Sequence, residues 1–273
     1  MRKNMLKVAI MVVAVIAILA VVVTLALRDR AGEMMKEARE LRSDGHITAA
    51  ADLFGEVAIM FPDSKHAANA LYEMGFTYYV ILYPKAAEAE KGIYLKLAMD
   101  AFTKMIKRYP DSQYVDDVNL YLAEIHGQRG EIEQALGYYE AVAEKIQDPA
   151  QQQDIYYRMA TAYEYLGDHT RAVDYLRDVI DVGIKGRYYE NAHLTLANYY
   201  RIAAADNDSV AADHHRSIIE LLEPLINNDE QISELTMQEA LLITAYSQLE
   251  LRRFDEAELT LDRLEKMRLT PTN

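Results

Sequence analysis

The chain has 273 residues, with 29 Lys+Arg against 43 Asp+Glu, a formal net charge of −14, no Cys, no Trp and 51% hydrophobic residues. That composition describes a folded chain rather than a disordered one, and its acidity argues against binding a phosphate backbone. The absence of Cys excludes disulfides, thiolate catalysis, Cys-ligated zinc or iron–sulfur centres and lipidation on Cys.

The charge is uneven. Residues 1–30 hold Arg2, Lys3, Lys7, Arg28 and Arg30 against Asp29 alone, so the acidity lies wholly in 31–273. Residues 8–27, bounded by Val8 and Leu27, carry no charge and only Thr24 as a polar side chain. As a helix rising about 1.5 Å per residue, such a run spans roughly 30 Å of hydrocarbon, which predicts a transmembrane anchor contacting the lipid bilayer. It is too long for the apolar core of a cleaved signal peptide, and Thr24-Leu25-Ala26 is a poor cleavage site. A short basic tail ahead of such a segment places residues 31–273 outside the cytoplasm. Arg28, Arg30, Lys36, Arg39 and Arg42 on the other side leave the cytoplasmic orientation open on charge alone. The predicted organisation is an anchor over 1–30 and a helical domain over 31–273.

Beyond the anchor the sequence repeats. Gly130-Glu131-Ile132 leads to Ala135 and Tyr139, and Gly167-Asp168-His169 to Ala172 and Leu176, both glycine and alanine recurring after 37 residues. Gly45, Ile47, Ala50 and Phe54 fit the same frame, as do Phe254, Ala257 and Leu261 without the glycine. Before each turn a helix shows one packing face at i, i+3, i+4 and i+7. These faces read Leu71, Met74, Gly75, Tyr78; Asn119, Leu122, Ala123, His126; Tyr156, Met159, Ala160, Tyr163; and His193, Leu196, Ala197, Tyr200. The third member is always small, which lets a partner helix approach closely. The turn glycine predicts a helix C-cap. Phe61-Pro62-Asp63-Ser64 and Tyr109-Pro110-Asp111-Ser112 end two second helices, since proline cannot continue a helix and Asp or Ser can cap the next.

Six units follow, beginning near Ala31, Ala68, Asp116, Gln153, Glu190 and Gln238. The first has Glu37 where an apolar residue is expected, and the sixth has Thr244 and Gln248 on its packing face. Two insertions break the period. Residues 80–93 either extend a helix that packs on the stack or form a docking patch, and residues 203–213 stretch the fifth unit.

This pattern resembles the tetratricopeptide repeat, a helix pair of about 34 residues with a small residue in each helix and a closing proline. The resemblance implies an all-α, right-handed superhelical solenoid of about six helix pairs on an N-terminal transmembrane helix. The Tyr/Phe-Pro-Asp-Ser boundaries also resemble bacterial envelope repeat proteins of the outer-membrane barrel-assembly lipoprotein and Tol-Pal cell-division coordinator type. That likeness implies a compartment and a style of work, although this chain has neither the lipid-bearing Cys of the first nor the cleaved leader of the second.

Signatures of phosphate-binding loops, dinucleotide folds, nucleophile elbows and zinc proteases are missing, so no enzyme activity and no cofactor is expected. Glu190 and His193 have the spacing of one metal-binding helix face, but His193 falls on a packing position and no second copy of the pair exists. His214 and His215 point about 100° apart and read as surface residues. Asn207-Asp208-Ser209 satisfies the glycosylation sequon.

In each first helix, residues just past the packing positions rotate about 100° per step toward the concave side. They read Tyr72, Phe76 and Tyr79; Tyr121 and Glu124; Tyr157, Arg158 and Tyr165; then Asn198 and Arg201. They either line a groove that takes a partner protein's helix or extended segment, or pack against the neighbouring unit. Arg158, Asn198 and Arg201 do not match the carboxylate clamp of related co-chaperones. The expected role is a membrane-anchored scaffold that binds other proteins in a cell-envelope complex. The alternatives are an accessory subunit of an integral inner-membrane respiratory or translocation complex and a metal-binding protein built on Glu190, His193, His214 and His215.

Overall fold

A computed structural model describes residues 2–206, 209–227 and 232–269, with the side chains of 2–10, 20, 21, 23–29, 268 and 269 left outside the description. Every described regular element is helical, and the twelve α-helices form the six predicted pairs. They are α1 (Arg2–Ser43) with α2 (Ile47–Met60), α3 (Ala67–Phe76) with α4 (Glu88–Arg108), and α5 (Val115–Gln128) with α6 (Ile132–Ala143). Then come α7 (Pro149–Tyr165) with α8 (His169–Val182), α9 (Arg187–Asp206) with α10 (Ala211–Ile226), and α11 (Glu234–Glu250) with α12 (Phe254–Leu269). The chain divides into two compact units, residues 1–138 and 139–273, the boundary falling within α6.

In the first unit each helix from α1 to α4 packs on the next. Phe54, Phe102, Met35, Met105, Leu122 and Ile125 are fully buried there, each contributing about 1.5 to 3 kcal/mol by leaving water. The C-terminal part of α1 supplies Ala31, Met35 and Ala38 to this core, while Glu37 points to solvent and so does not interrupt it. In the second unit α7 to α12 pack in chain order around Ile155, Met159, Leu196, Ile218, Leu222 and Leu225, and the first helices α7, α9 and α11 also touch their neighbours of the same kind.

The turn glycines act as predicted. Gly45, Gly130 and Gly167 have φ of 87°, 74° and 75°, each two residues before a second helix. Each donates its N–H to the carbonyl three residues back, and the next residue donates to the carbonyl five back, as in Gly45 N to Arg42 O and His46 N to Leu41 O. This is the Schellman arrangement. In the sixth pair Arg252 takes the glycine's place with φ 57° and makes the same two bonds through Arg252 N and Arg253 N. A Cβ in the left-handed region is strained, so Arg252→Gly should raise stability by about 0.5 to 1 kcal/mol in chemical denaturation, the remaining gain being offset by glycine's greater freedom when unfolded.

At the Pro-Asp-Ser boundaries neither Asp nor Ser caps the next helix as expected: the N-cap positions are His66 and Tyr114, which carry no side-chain cap, and the serines instead close the turn just ahead of them. Ser64 Oγ accepts from His66 N at 3.2 Å and Ser112 Oγ from Tyr114 N at 3.4 Å. The Tyr109 hydroxyl donates to Pro62 O at 2.6 Å and ties one boundary to the other.

The 80–93 insertion extends the helical stack. After α3 the backbone loosens into a π-turn over Thr77–Leu82 and a 3₁₀ turn over Tyr83–Lys85, and α4 starts early at Glu88. Thr77 Oγ1 donates to Glu73 O at 2.6 Å, competing for a carbonyl at the point where the α pattern gives way. The added turns stack Tyr83 on Tyr79 and Tyr94 on Tyr78, with ring centroids 5.9 and 6.0 Å apart.

The side chains of the predicted membrane span at 8–27 lie in part outside the description. Among the described residues no helix is long and apolar enough to cross a membrane. The described side chains of that span, 11–19 and Val22, are all exposed. The sequon at Asn207 also lies outside the described residues.

Candidate functional site

The residues predicted for the groove fall into two sets, one in each unit. In the first, α3, the π-turn that follows it and α5 bring Tyr72, Phe76, Tyr79, Tyr121 and Glu124 together. The Tyr72 ring lies 4.5 Å from that of Tyr114, and Tyr121 lies 6.1 Å from Phe76 and 5.8 Å from Tyr79. Tyr121 also stacks on the core ring of Phe102 at 5.4 Å. Tyr79 is buried; its hydroxyl donates to Glu124 Oε2 and accepts from Gln128 Nε2, both at 3.0 Å. Burial, reinforced by Glu124, raises the Tyr79 phenol well above its usual range. Burial raises Tyr72 likewise, followed by Tyr121 and Asp117, so these rings stay neutral at physiological pH. Desolvation and then Asp116 also raise the Asp117 carboxyl, while a hydrogen bond from Tyr72 opposes them. Tyr79 is thus buried, and Tyr72, Phe76, Tyr121 and Glu124 are half-buried.

The second set is more open. Tyr157 is half-buried beside Tyr188, 4.9 Å between ring centroids, and Asn191 Nδ2 donates to its hydroxyl at 3.3 Å. Arg158 pairs with Asp154 at 2.9 Å, and Arg201 Nε donates to Asn198 Oδ1 at 3.3 Å. Tyr165 is 75% exposed.

The same face continues onto the sixth pair. On α11, Leu242, Tyr246 and Leu249 follow the packing residues Leu241, Ala245 and Gln248 by one position, as Tyr72, Phe76 and Tyr79 follow Leu71, Gly75 and Tyr78. All three are exposed. Their spacing from the packing residues is the sequence signal that marks them.

The histidines have structural partners. His193 is 1% exposed with Nδ1 2.8 Å from Tyr189 O, and Glu190 Oε2 accepts from the Thr236 hydroxyl at 2.6 Å. Contrary to the surface position its sequence context predicts, His215 is buried, 3.3 Å from Ser247 Oγ, because α10 turns it toward α11. His214 stacks on Tyr200 at 5.7 Å. Among the described residues no group of three His, Asp or Glu is placed to hold a metal.

Burial lowers the His193 pKa from 6.5, against the opposing pull of the Tyr189 carbonyl. A histidine whose folded pKa lies below its unfolded value binds protons preferentially when unfolded. Its contribution is intact above pH 6.5 and is lost as pH falls below that value. Unfolding free energy should therefore decline toward about pH 5, and a His193→Gln variant should show a shallower decline.

Residues 154–182, which take in most of α7 and all of α8, match the family model of the tetratricopeptide repeat. No curated protein matches the chain. Among solved structures, a tetratricopeptide repeat protein from Parabacteroides merdae is similar at 14% identity, TM-score 0.48, covering 87% of this chain and 93% of its own. The C-terminal part of a repeat protein from Cytophaga hutchinsonii is similar at 15% identity, TM-score 0.48, covering 87% and 96%. PilF of Pseudomonas aeruginosa is similar at 13% identity, TM-score 0.44, covering 90% and 95%.

Proposed function

We propose that this chain, which carries a tetratricopeptide-repeat unit at residues 154–182, is a non-enzymatic scaffold that binds partner proteins through the faces of its first helices. The observation that carries this reading is the presence of aromatic and apolar side chains one or two residues past the packing positions on the first helices α3, α5, α7 and α11, open to solvent at Tyr165, Leu242, Tyr246 and Leu249. Helix-pair repeats present long surfaces, and side chains of this kind anchor protein interfaces. Residues 8–27 hold the scaffold at a membrane of the cell envelope, with 31–273 outside the cytoplasm. The uncharged run in the sequence supports the anchor, as does the exposure of every described apolar side chain within it.

The full chain should remain in the membrane fraction after a carbonate wash, and protease added outside the cytoplasmic membrane should digest the acidic part. Purified in mild detergent, it should bring other envelope proteins with it. Release by carbonate would remove the anchor from this account, and purification of the bare chain would remove the scaffold.

A further inference from the structure

We propose that the solvent side of α11 is the docking site for an amphipathic helix of a partner protein, apolar along one face and basic along its edges. This rests on the scaffold reading above and gives it a particular place and partner chemistry.

α11 is apolar on both sides. Its inner side buries Met237, Ala240, Leu241 and Ala245. Its outer side carries Leu235, Leu242, Tyr246 and Leu249, which are 75%, 52%, 47% and 44% exposed. At 100° and 1.5 Å per residue these four lie within about 60° of one another along about 21 Å of helix. Single exposed leucines are ordinary, whereas four large apolar side chains aligned on one helix face, three of them within Leu242 to Leu249, mark a contact surface.

The other helix pairs indicate what fits there. In the first unit the matching residues, Tyr72, Phe76 and Tyr79, are covered by Tyr114 and Tyr121, which lie seven apart at the start and in the middle of the next first helix. In the second unit Tyr157 meets Tyr188 from the next first helix in the same way. A large side chain presented by a helix is the cover used at each of these positions. Over α11 no such helix lies among the described residues.

Charge decides between a foreign helix and a second copy. Exposed Glu239 and Glu250 border the stripe, with Glu234 at its N-terminal end, and Arg201 is the cation acting on Tyr246. Two copies of α11 laid antiparallel would bring Glu234 of one against Glu250 of the other, a like-charge contact at both ends. A helix edged with Lys or Arg meets the same carboxylates favourably.

The test places a photo-cross-linking amino acid at Leu235 of the full-length protein in its own membranes and identifies the captured peptide by mass spectrometry. The expected adduct is a segment of another protein with apolar residues at i, i+4 and i+7 and Lys or Arg beside them. Leu242→Glu should lower its yield roughly tenfold or more without changing the melting temperature, since Leu242 is exposed, and added salt should lower it further. No adduct, an adduct confined to this chain, or a captured segment without that pattern overturns the proposal. The same probe at Tyr165 separates the two levels of the argument. Adducts there with none at Leu235 leave the scaffold reading and remove the α11 site, and adducts at neither position remove both.

Discussion

Replacing Gly75 with alanine should lower stability by about 1 to 3 kcal/mol, and replacing Phe102 with alanine by about 3 to 5 kcal/mol. A Cβ on Gly75 would lie 2.4 Å from Phe102 Cε1, 2.6 Å from Cδ1 and 2.8 Å from Cζ, all well inside contact distance. The ring has nowhere to go, because Phe102 is fully buried and stacked on Tyr121 at 5.4 Å. Alanine favours a helix over glycine by about 1 kcal/mol, so a net loss means that the clash exceeds this gain. Combining Gly75→Ala with Phe102→Leu should cost less than the sum of the two single changes, since the smaller side chain makes room for the added methyl. Denaturant unfolding of the four proteins measures that coupling. A neutral Gly75→Ala would mean that α3 and α4 do not meet at this point.

Tyr121→Ala should lower stability by about 2 to 3 kcal/mol, whereas Tyr165→Ala should change it by less than about 0.5 kcal/mol. Sequence spacing gives both tyrosines the same role, and their surroundings separate them. Tyr121 lies 6.4, 6.1, 5.8 and 5.4 Å from the rings of Tyr72, Phe76, Tyr79 and Phe102, so its removal leaves a gap among four partners. Tyr165 is 75% exposed. Thermal unfolding of the two variants checks the contrast, and equal losses would mean that the two side chains share one environment.

Much of the architecture is legible in the sequence because it is fixed locally. α3, α5, α7, α9 and α11 begin one to four residues before the predicted starts of their units. The glycine and proline punctuation restricts the backbone in ways few other residues can. What escapes the sequence depends on packing. Arg252 adopts the glycine conformation because the helices on either side of it, α11 and α12, pack together and hold the turn closed. The π-turn after α3 depends on where Thr77 directs its hydroxyl, and the burial of His215 on how α10 meets α11. For the candidate site, spacing identifies the face but not the exposure of each residue on it. Tyr79 and Tyr165 differ through the neighbours that fold over them, which no periodicity records.

Binding of partner proteins at the first-helix faces is tested most directly by a surface variant. Tyr165, Arg201 and Leu242 are all exposed, so changing all three to alanine should leave the melting temperature within a few degrees of the parent. The affinity of the full chain for a protein that copurifies with it should then fall by about 2 kcal/mol or more, roughly thirtyfold, measured by titration in mild detergent. A triple variant that melts with the parent and binds the same partner with undiminished affinity would contradict the account.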